Sequence, residues 1–416
     1  MILTEYLSQE WIPALGCTEP ASIALAAATA GEKLTGKIKH IKLIVDPKIY
    51  KNCYAVGIPG SDHKTGILWA VAIGAQIQDT SLGLECFENI SKEMISIAKD
   101  LIDKGAIEID VDTSHDELFI DCNISKDGGF GRAVIADEHT NIIRTERNGE
   151  TLFEKTSQDS GKKSSLRKQI ASMSIESLIS LAHTSNDEDC HRLREGIAMN
   201  SRISEHGLKL FPKRFVELSM EDTLSRMSTL VCAGVYARMW GESIPVMSLA
   251  GSGNKGITAA VPISIYGKKL GLPQERIDKS LALACLITSA TTHHLGTLSA
   301  VCGCSNAAGI GLSAGLVLLE GGGEKEISLA INNMVGNVTG MICDGAKIGC
   351  ALKTMAAVDS AFRACTLAMS GMGIPACDGI IGDSGLNSLK NLGRIATRGM
   401  ISTDSEILEI MQEKLK

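Results

Sequence analysis

From Ser280 to Leu319 the chain carries no Asp, Glu, Lys or Arg. An uncharged run of that length either crosses a membrane or is buried in a large core, and Leu295 to Leu319 alone could span the ~30 Å hydrocarbon layer. Its composition argues for the core. Thr291, Thr292, His293, His294, Ser299, Cys302, Gly303, Cys304, Ser305 and Asn306 lie within it, and such groups are costly in hydrocarbon unless they line a cavity. No second run of comparable length follows, and no Trp or Tyr belt flanks this one. The expectation is a polar-seamed interior with no membrane span.

A chain of 416 residues with 44% apolar side chains can form two or three full cores at roughly 150 residues per domain. That apolar content excludes a disordered chain. A net charge of −7, with Lys and Arg scattered, gives no electrostatic footprint for nucleic acid. The first residues, Met1-Ile-Leu-Thr-Glu-Tyr, lack the pattern of a signal peptide, so a cytoplasmic location is expected. In that reducing setting the 13 cysteines do not read as a disulfide framework. They read as small buried hydrophobes plus a metal or nucleophile site.

Periodicity divides the chain. Residues 1–35 read as a helical segment: Thr4 to Trp11, a break at Pro13 to Gly16, then the Ala-rich run from Pro20. Residues 36–153 alternate as half-buried strands do, from Lys37 to Asp46, Ala106 to Asp112, Glu117 to Ile124, Arg132 to Asp137 and Asn141 to an Asn148-Gly149 turn signal. Helical stretches at Gly66 to Gln78 and Ile90 to Lys104 fall between them. The polar stretch 154–167 reads as a linker, and 168–416 as a nearly all-helical domain whose Ala, Gly, Ser and Cys content permits close helix approach. The expected fold class is therefore α+β: a small lobe with an antiparallel or mixed sheet, plus a larger, nearly all-α catalytic domain.

Four foci carry chemistry. Cys343-Asp-Gly-Ala-Lys-Ile-Gly-Cys350 is too widely spaced for a simple zinc knuckle, but its central bend permits two thiolates to turn toward one point. Upstream lies Cys302-Gly-Cys304, preceded by His293-His294. Three thiolates from these pairs suit an iron–sulfur or zinc centre, and three rather than four on a 4Fe-4S cluster leave one iron open as a Lewis acid. Gly16-Cys17-Thr-Glu-Pro20 stands where a break ends and a helix begins, a position that lowers a thiol's pKa, so Cys17 is a candidate base or nucleophile. Gly251-Ser-Gly-Asn-Lys-Gly256 enters a helix as anion-binding loops do, which makes Ser252, Asn254 and Lys255 candidate substrate contacts. Each focus also has a bland reading, as buried cysteines or ordinary turns.

Taken in order, these motifs resemble the L-cysteine desulfidases, which are grouped with the iron–sulfur L-serine dehydratase alpha chains, and the resemblance spans nearly the whole chain. It implies a 4Fe-4S enzyme that eliminates sulfide from L-cysteine, giving pyruvate and ammonia. Cys343 and Cys350 match the paired downstream cluster ligands. The third falls on Cys302 or Cys304, with the family spacing closer to Cys302. Cys17 matches the family's base, and the Gly251 loop lies where relatives grip the substrate carboxylate. The dehydratases' longer, proline-rich gap between the last two ligands is missing here, which favours the desulfidase branch over an L-serine dehydratase. The implied partner is a small amino acid, with a homodimer as candidate assembly.

Rival readings remain in view. Ser252-Gly-Asn-Lys-Gly256 is similar to the cofactor loop of pyridoxal-phosphate dehydratases, but the nearest upstream lysine, Lys213, stands in Phe211-Pro-Lys-Arg and not in their Ser-Phe-Lys setting. A membrane or cluster-storage protein and an aconitase-like hydro-lyase on a hydroxy acid complete the set.

Overall fold

The protein is described by a computed structural model covering residues 2–115, 117–155, 162–296 and 299–414, with 162–165 by backbone alone. The chain begins with α1 (Leu3–Glu10), β1 (Trp11–Ala14) and α2 (Thr18–Gly31). The small lobe follows: β2 (Ile38–Val45), α3 (Pro47–Cys53), α4 (Ile67–Gly74), α5 (Lys92–Asp103), β3 (Ile107–Val111), β4 (Phe119–Lys126), β5 (Gly129–Ala136), β6 (Ile142–Arg147) and β7 (Glu150–Glu154). Its sheet has the order β3-β2-β4-β5-β6-β7, with β2 and β3 parallel and every other pair antiparallel.

Alternation in sequence becomes facing in space. Ile41, Leu43 and Val45 of β2 and Ile120, Cys122 and Ile124 of β4 share a core with the buried alanines of α2. The Asn148-Gly149 pair, both at positive φ, makes the expected tight turn into β7. β7 itself is exposed along its whole length, an edge strand without the alternation that reveals a buried one.

The larger lobe contains α6 (Lys162–Ala171), α7 (Ile175–His183), α8 (Asp187–Gly207), α9 (Lys213–Ser219), α10 (Thr223–Trp240), β8 (Val246–Leu249), α11 (Gly253–Lys269), α12 (Gln274–Leu295), α13 (Asn306–Glu320), α14 (Glu324–Val338), α15 (Cys350–Met369), α16 (Gly385–Arg394) and α17 (Ile401–Glu413). The architecture is thus α+β with a mostly helical larger part. The uncharged run splits into most of α12 and α13, which pack together in one core. Its hydroxyls are satisfied locally: Thr288, Thr291 and Thr292 each donate to the carbonyl four residues back. Among the described residues no helix is long and apolar enough to cross a membrane.

Three features depart from the sequence expectation. The N-terminal segment is not purely helical, because β1 pairs antiparallel with β8, Trp11 opposite Leu249 through Ala14 opposite Val246. All four residues of β8 are buried, so it shows no alternation to detect. The final residues of the expected linker are helical, in α6, while 156–161 lie outside the described residues. The C-terminal helix returns to the small lobe, where Ile407, Leu408 and Met411 join the sheet's core and Asp404 accepts from the buried ammonium of Lys51 at 2.5 Å.

The glycine that ends the Gly251–Gly256 motif has a packing reason. A Cβ on Gly256 would lie 1.9 Å from the Met247 carbonyl oxygen, so α11 can rest on β8 only with glycine there. Gly256→Ala should cost about 1–3 kcal/mol through forced separation of the two elements, seen as a lower unfolding temperature in calorimetry; an unchanged melt would refute this packing. The cysteines supply a second test. Burial pushes the Cys232 thiol up to about 11 and Cys86 up to about 12, and raises Cys122 and Cys285 further. Folded values above the unfolded one mean stability that is complete below about pH 9 and lost as pH climbs through the folded values. Melting temperature should therefore fall between pH 9 and 11, and a flat profile there would contradict the burial.

Candidate functional site

One cavity of about 100 Å³ gathers the predicted residues: Cys17, Ser252, Asn254, Lys255, Cys302, Cys304, Cys343 and Cys350 all line it. Its size, well under the ~300–1,000 Å³ of drug-sized ligand pockets, suits a small metabolite. His293 and His294 are not on its wall, although Thr292 and Leu295 are. Burial and its neighbours His293 and Lys390 lower His294 to about 4, which fits a neutral packed side chain.

Local backbone explains the gathering. Val301 and Ile342 form an antiparallel bridge, flanked by Cys302 N–H to the Met341 carbonyl (2.9 Å) and Cys343 N–H to the Ala300 carbonyl (2.7 Å). This bridge sets Cys302 beside Cys343 although 41 residues separate them in sequence. Gly345, at φ +91°, takes the bend the sequence suggested, close against the Lys51 carbonyl, and Cys350 opens α15. Cys302 and Cys304 precede α13, with the Asn306 N–H on the Cys302 carbonyl at 2.8 Å. Burial raises the Cys343 and Cys350 thiols, with Cys302 adding to both and Cys343 to Cys350, while Cys302 is raised chiefly by its hydrogen bond with Cys304. Cys304 instead sits 3.5 Å from the Ser252 hydroxyl and is lowered chiefly by its hydrogen bond with Cys302. Among the described residues no three His, Cys, Asp or Glu side chains are set to hold a single metal ion.

The Gly-rich loop is a tight turn feeding a helix. Leu249 and Ser252 exchange both backbone hydrogen bonds at 3.0 Å, and the two central residues, Ala250 (φ +48°) and Gly251 (φ +79°), are left-handed, as a type I′ turn requires. An alanine there carries strain of the kind stored at functional sites. The turn delivers the first amides of α11 to the cavity. Lys255 is buried, its ammonium donating to the Ala250 carbonyl (3.2 Å) and the Thr292 hydroxyl (3.1 Å), and burial with Arg167 nearby lowers it to about 8.

Cys17 is at the N-cap of α2, as the sequence suggests, but the expected lowered pKa is not found. Its thiol is 4% exposed and accepts no capping role, and burial pushes it up to about 11 against the pull of Arg238. Desolvation outweighs the helix terminus, so Cys17 is a thiol at neutral pH.

Two arginines were not legible as site residues. Arg238, on α10, is 4% exposed and lines the cavity; it donates to the Gly16 carbonyl (2.5 Å) and Asn254 Oδ1 (2.9 Å), tying the Cys17 segment to the Gly-rich turn. Arg167, in the polar stretch, pairs from its Nε with both oxygens of the fully buried Glu10 at 2.9 and 3.0 Å. A lone arginine in a helical pattern carries no signal of burial; only the fold supplies it.

Residues 83–409 match the model of the serine dehydratase alpha chain. The chain is similar over its whole length to proteins called "UPF0597 protein": 38% identical to one from Clostridium botulinum, covering 100% of this chain and 99% of that one. The relatives from Caldanaerobacter subterraneus (100% and 99% covered) and Desulfotalea psychrophila (99% and 98%) are each 36% identical. These names state no substrate, but the family's dehydratases are iron–sulfur dependent lyases, and this chain belongs to the serine dehydratase alpha chain family.

Proposed function

We propose that this chain is a carbon–sulfur lyase that eliminates sulfide from L-cysteine, leaving pyruvate and ammonia, with L-serine dehydration as the alternative reaction. The observation that carries the reading is the convergence of four thiols, Cys302, Cys304, Cys343 and Cys350, with Cys17 and Lys255 on one small cavity.

The donor chemistry fits a 4Fe-4S cluster. Cys350 opens α15 and Cys304 lies just before α13, at helix ends whose backbone dipoles favour negative charge. Cys343 and Cys350 with Cys302 are the proposed ligands, and Cys304, bonded to Cys302, 3.5 Å from the Ser252 hydroxyl and within reach of Cys350, is the alternative third. When bound by three thiolates, such a cluster supplies an open iron as a Lewis acid for the departing sulfur.

The chain's own groups then have separate tasks. The type I′ turn and the first amides of α11, with Ser252, Asn254 and Lys255, orient the substrate and hold its anionic end. Cys17 takes the Cα proton as general base. Because burial keeps that thiol protonated, only a minority of molecules carries the active base at neutral pH, and the fraction rises with pH toward about 11. The product aminoacrylate tautomerises and hydrolyses without help.

The test begins with anaerobic purification, iron and sulfide analysis, and comparison of sulfide release from L-cysteine with ammonia and pyruvate release from L-serine. Cys343→Ala should lose both colour and turnover, whereas Cys17→Ser should keep the broad cluster absorbance and lose turnover; a fully active Cys17→Ser removes that residue from the mechanism. For the wild type, kcat/KM should climb between pH 7 and 9, and a level profile would be incompatible with a Cys17 base. A Schiff-base absorbance removed by borohydride would favour the pyridoxal-phosphate reading instead.

A further inference from the structure

The cavity contains a buried cation whose charge the fold leaves unanswered. Arg238 is 4% exposed, and among the described residues no carboxylate pairs with it. Its N–H donors reach the Gly16 carbonyl and Asn254 Oδ1, its guanidinium also bonds the Cys17 sulfur, and Nε has no partner. Burying an arginine this way is costly unless an anion completes the site. Lys255 is the weaker candidate for that anion, because two of its three protons already serve Ala250 and Thr292.

The same wall carries one opposite charge. Glu19, in the first turn of α2, is the acidic side chain lining the cavity among the described residues, and it is half-buried, accepting from the Thr18 hydroxyl at 3.1 Å. Cys17, two positions earlier, is in the field of both groups, drawn down by Arg238 and pushed up by Glu19. A cation and an anion flanking a thiol match the outline of a free α-amino acid, whose carboxylate and ammonium flank the carbon that must lose its proton.

We infer that Arg238 and Glu19 are the two poles of an α-amino-acid subsite, Arg238 adding the pairing cation to the Gly251–Lys255 wall that holds the α-carboxylate and Glu19 binding the α-ammonium, so that Cα is presented to Cys17. The inference rests on the lyase reading and sharpens its substrate class: an unblocked α-amino acid is accepted, and a hydroxy acid, lacking the ammonium, is not. Arg238 also couples the subsite to the turn through Asn254, so carboxylate binding and placement of the Gly251–Lys255 wall share one guanidinium.

The test uses anaerobically purified holoenzyme and two half-substrates in calorimetric titrations: 3-mercaptopropionate, which keeps the carboxylate, and cysteamine, which keeps the ammonium. Arg238→Gln should weaken 3-mercaptopropionate about tenfold or more, the loss expected of a charge-assisted pair, and leave cysteamine within about twofold. Glu19→Gln should do the reverse. Retained cysteamine binding shows that the arginine variant keeps its fold; should Arg238→Gln not fold, Arg238→Lys must show the same selective loss in smaller measure. Equal loss of both ligands in each variant, or no loss in either, overturns the inference. An enzyme that shows the crossed pattern yet releases neither sulfide nor pyruvate refutes the lyase reading and leaves the subsite standing.

Discussion

Four helix amino ends meet at one small cavity, and much of the surrounding structure follows from that placement. α2, α11, α13 and α15 follow the caps Cys17, Ser252, Ser305 and Gly349 respectively, each bringing the positive end of a dipole, although the first N–H groups of α13 and α15 are taken up by the turns before them, Asn306 on the Cys302 carbonyl and Cys350 on the Lys347 carbonyl. Arg238 and Lys255 add side-chain charge to the same space. Thiols in isolation do not offset this, since burial holds Cys17 and Cys350 protonated. The arrangement favours anionic occupants, and thiolates bound to a metal together with a substrate carboxylate are of that kind. A dry core of alanine and leucine would have no use for such a convergence.

Holding these ends in register requires both lobes. The β1–β8 ladder fixes the N-terminal segment to the helical lobe, and the Ala250 N–H on the Glu10 carbonyl (3.1 Å) continues that attachment into the strained turn. Trp11, fully buried, donates from its indole to the Arg192 carbonyl and packs where Gly196 leaves room on α8. On the other side, the Cys343–Cys350 loop rests on α3 through Gly345, and Lys51 of α3 is paired with Asp404 of the C-terminal helix. The two ends of the chain thus brace the site from opposite lobes, although the thiols other than Cys17 belong to the larger one.

What sequence made legible follows from which physical signals are local. Alternation in sequence revealed the five strands β2 to β6, although β6 is half-buried along its whole length; it was silent on β8, buried on both faces, and on β7, exposed on both. The cysteine pairs and the Gly-rich turn were recognisable because their chemistry is written in residue type. The Val301–Ile342 bridge that unites them was not, being a contact between distant segments. Nor were Arg238 and Arg167, whose meaning comes from burial, or the charge state of Cys17, where a local dipole argument lost to desolvation. Residue type identifies candidate chemistry, whereas burial and long-range pairing decide its state.

The division of labour across the chain has a further consequence. The family match spans residues 83–409, which contain the cluster-ligand candidates, Arg238 and the Gly251–Lys255 wall, while Cys17 and Glu19 lie before it. In the proposed reading, leaving-group chemistry and carboxylate capture belong to the part the family model matches, and proton removal and ammonium recognition to a short N-terminal segment that the full-length relatives also match, joined to it by the β1–β8 ladder. Those two functions determine where Cα sits and what removes its proton. A change in that segment can therefore redirect substrate choice with the thiol centre intact, since among the described residues no backbone hydrogen bond joins the Cys302 or Cys343 loops to it; they pair with each other and rest on α3 through Gly345.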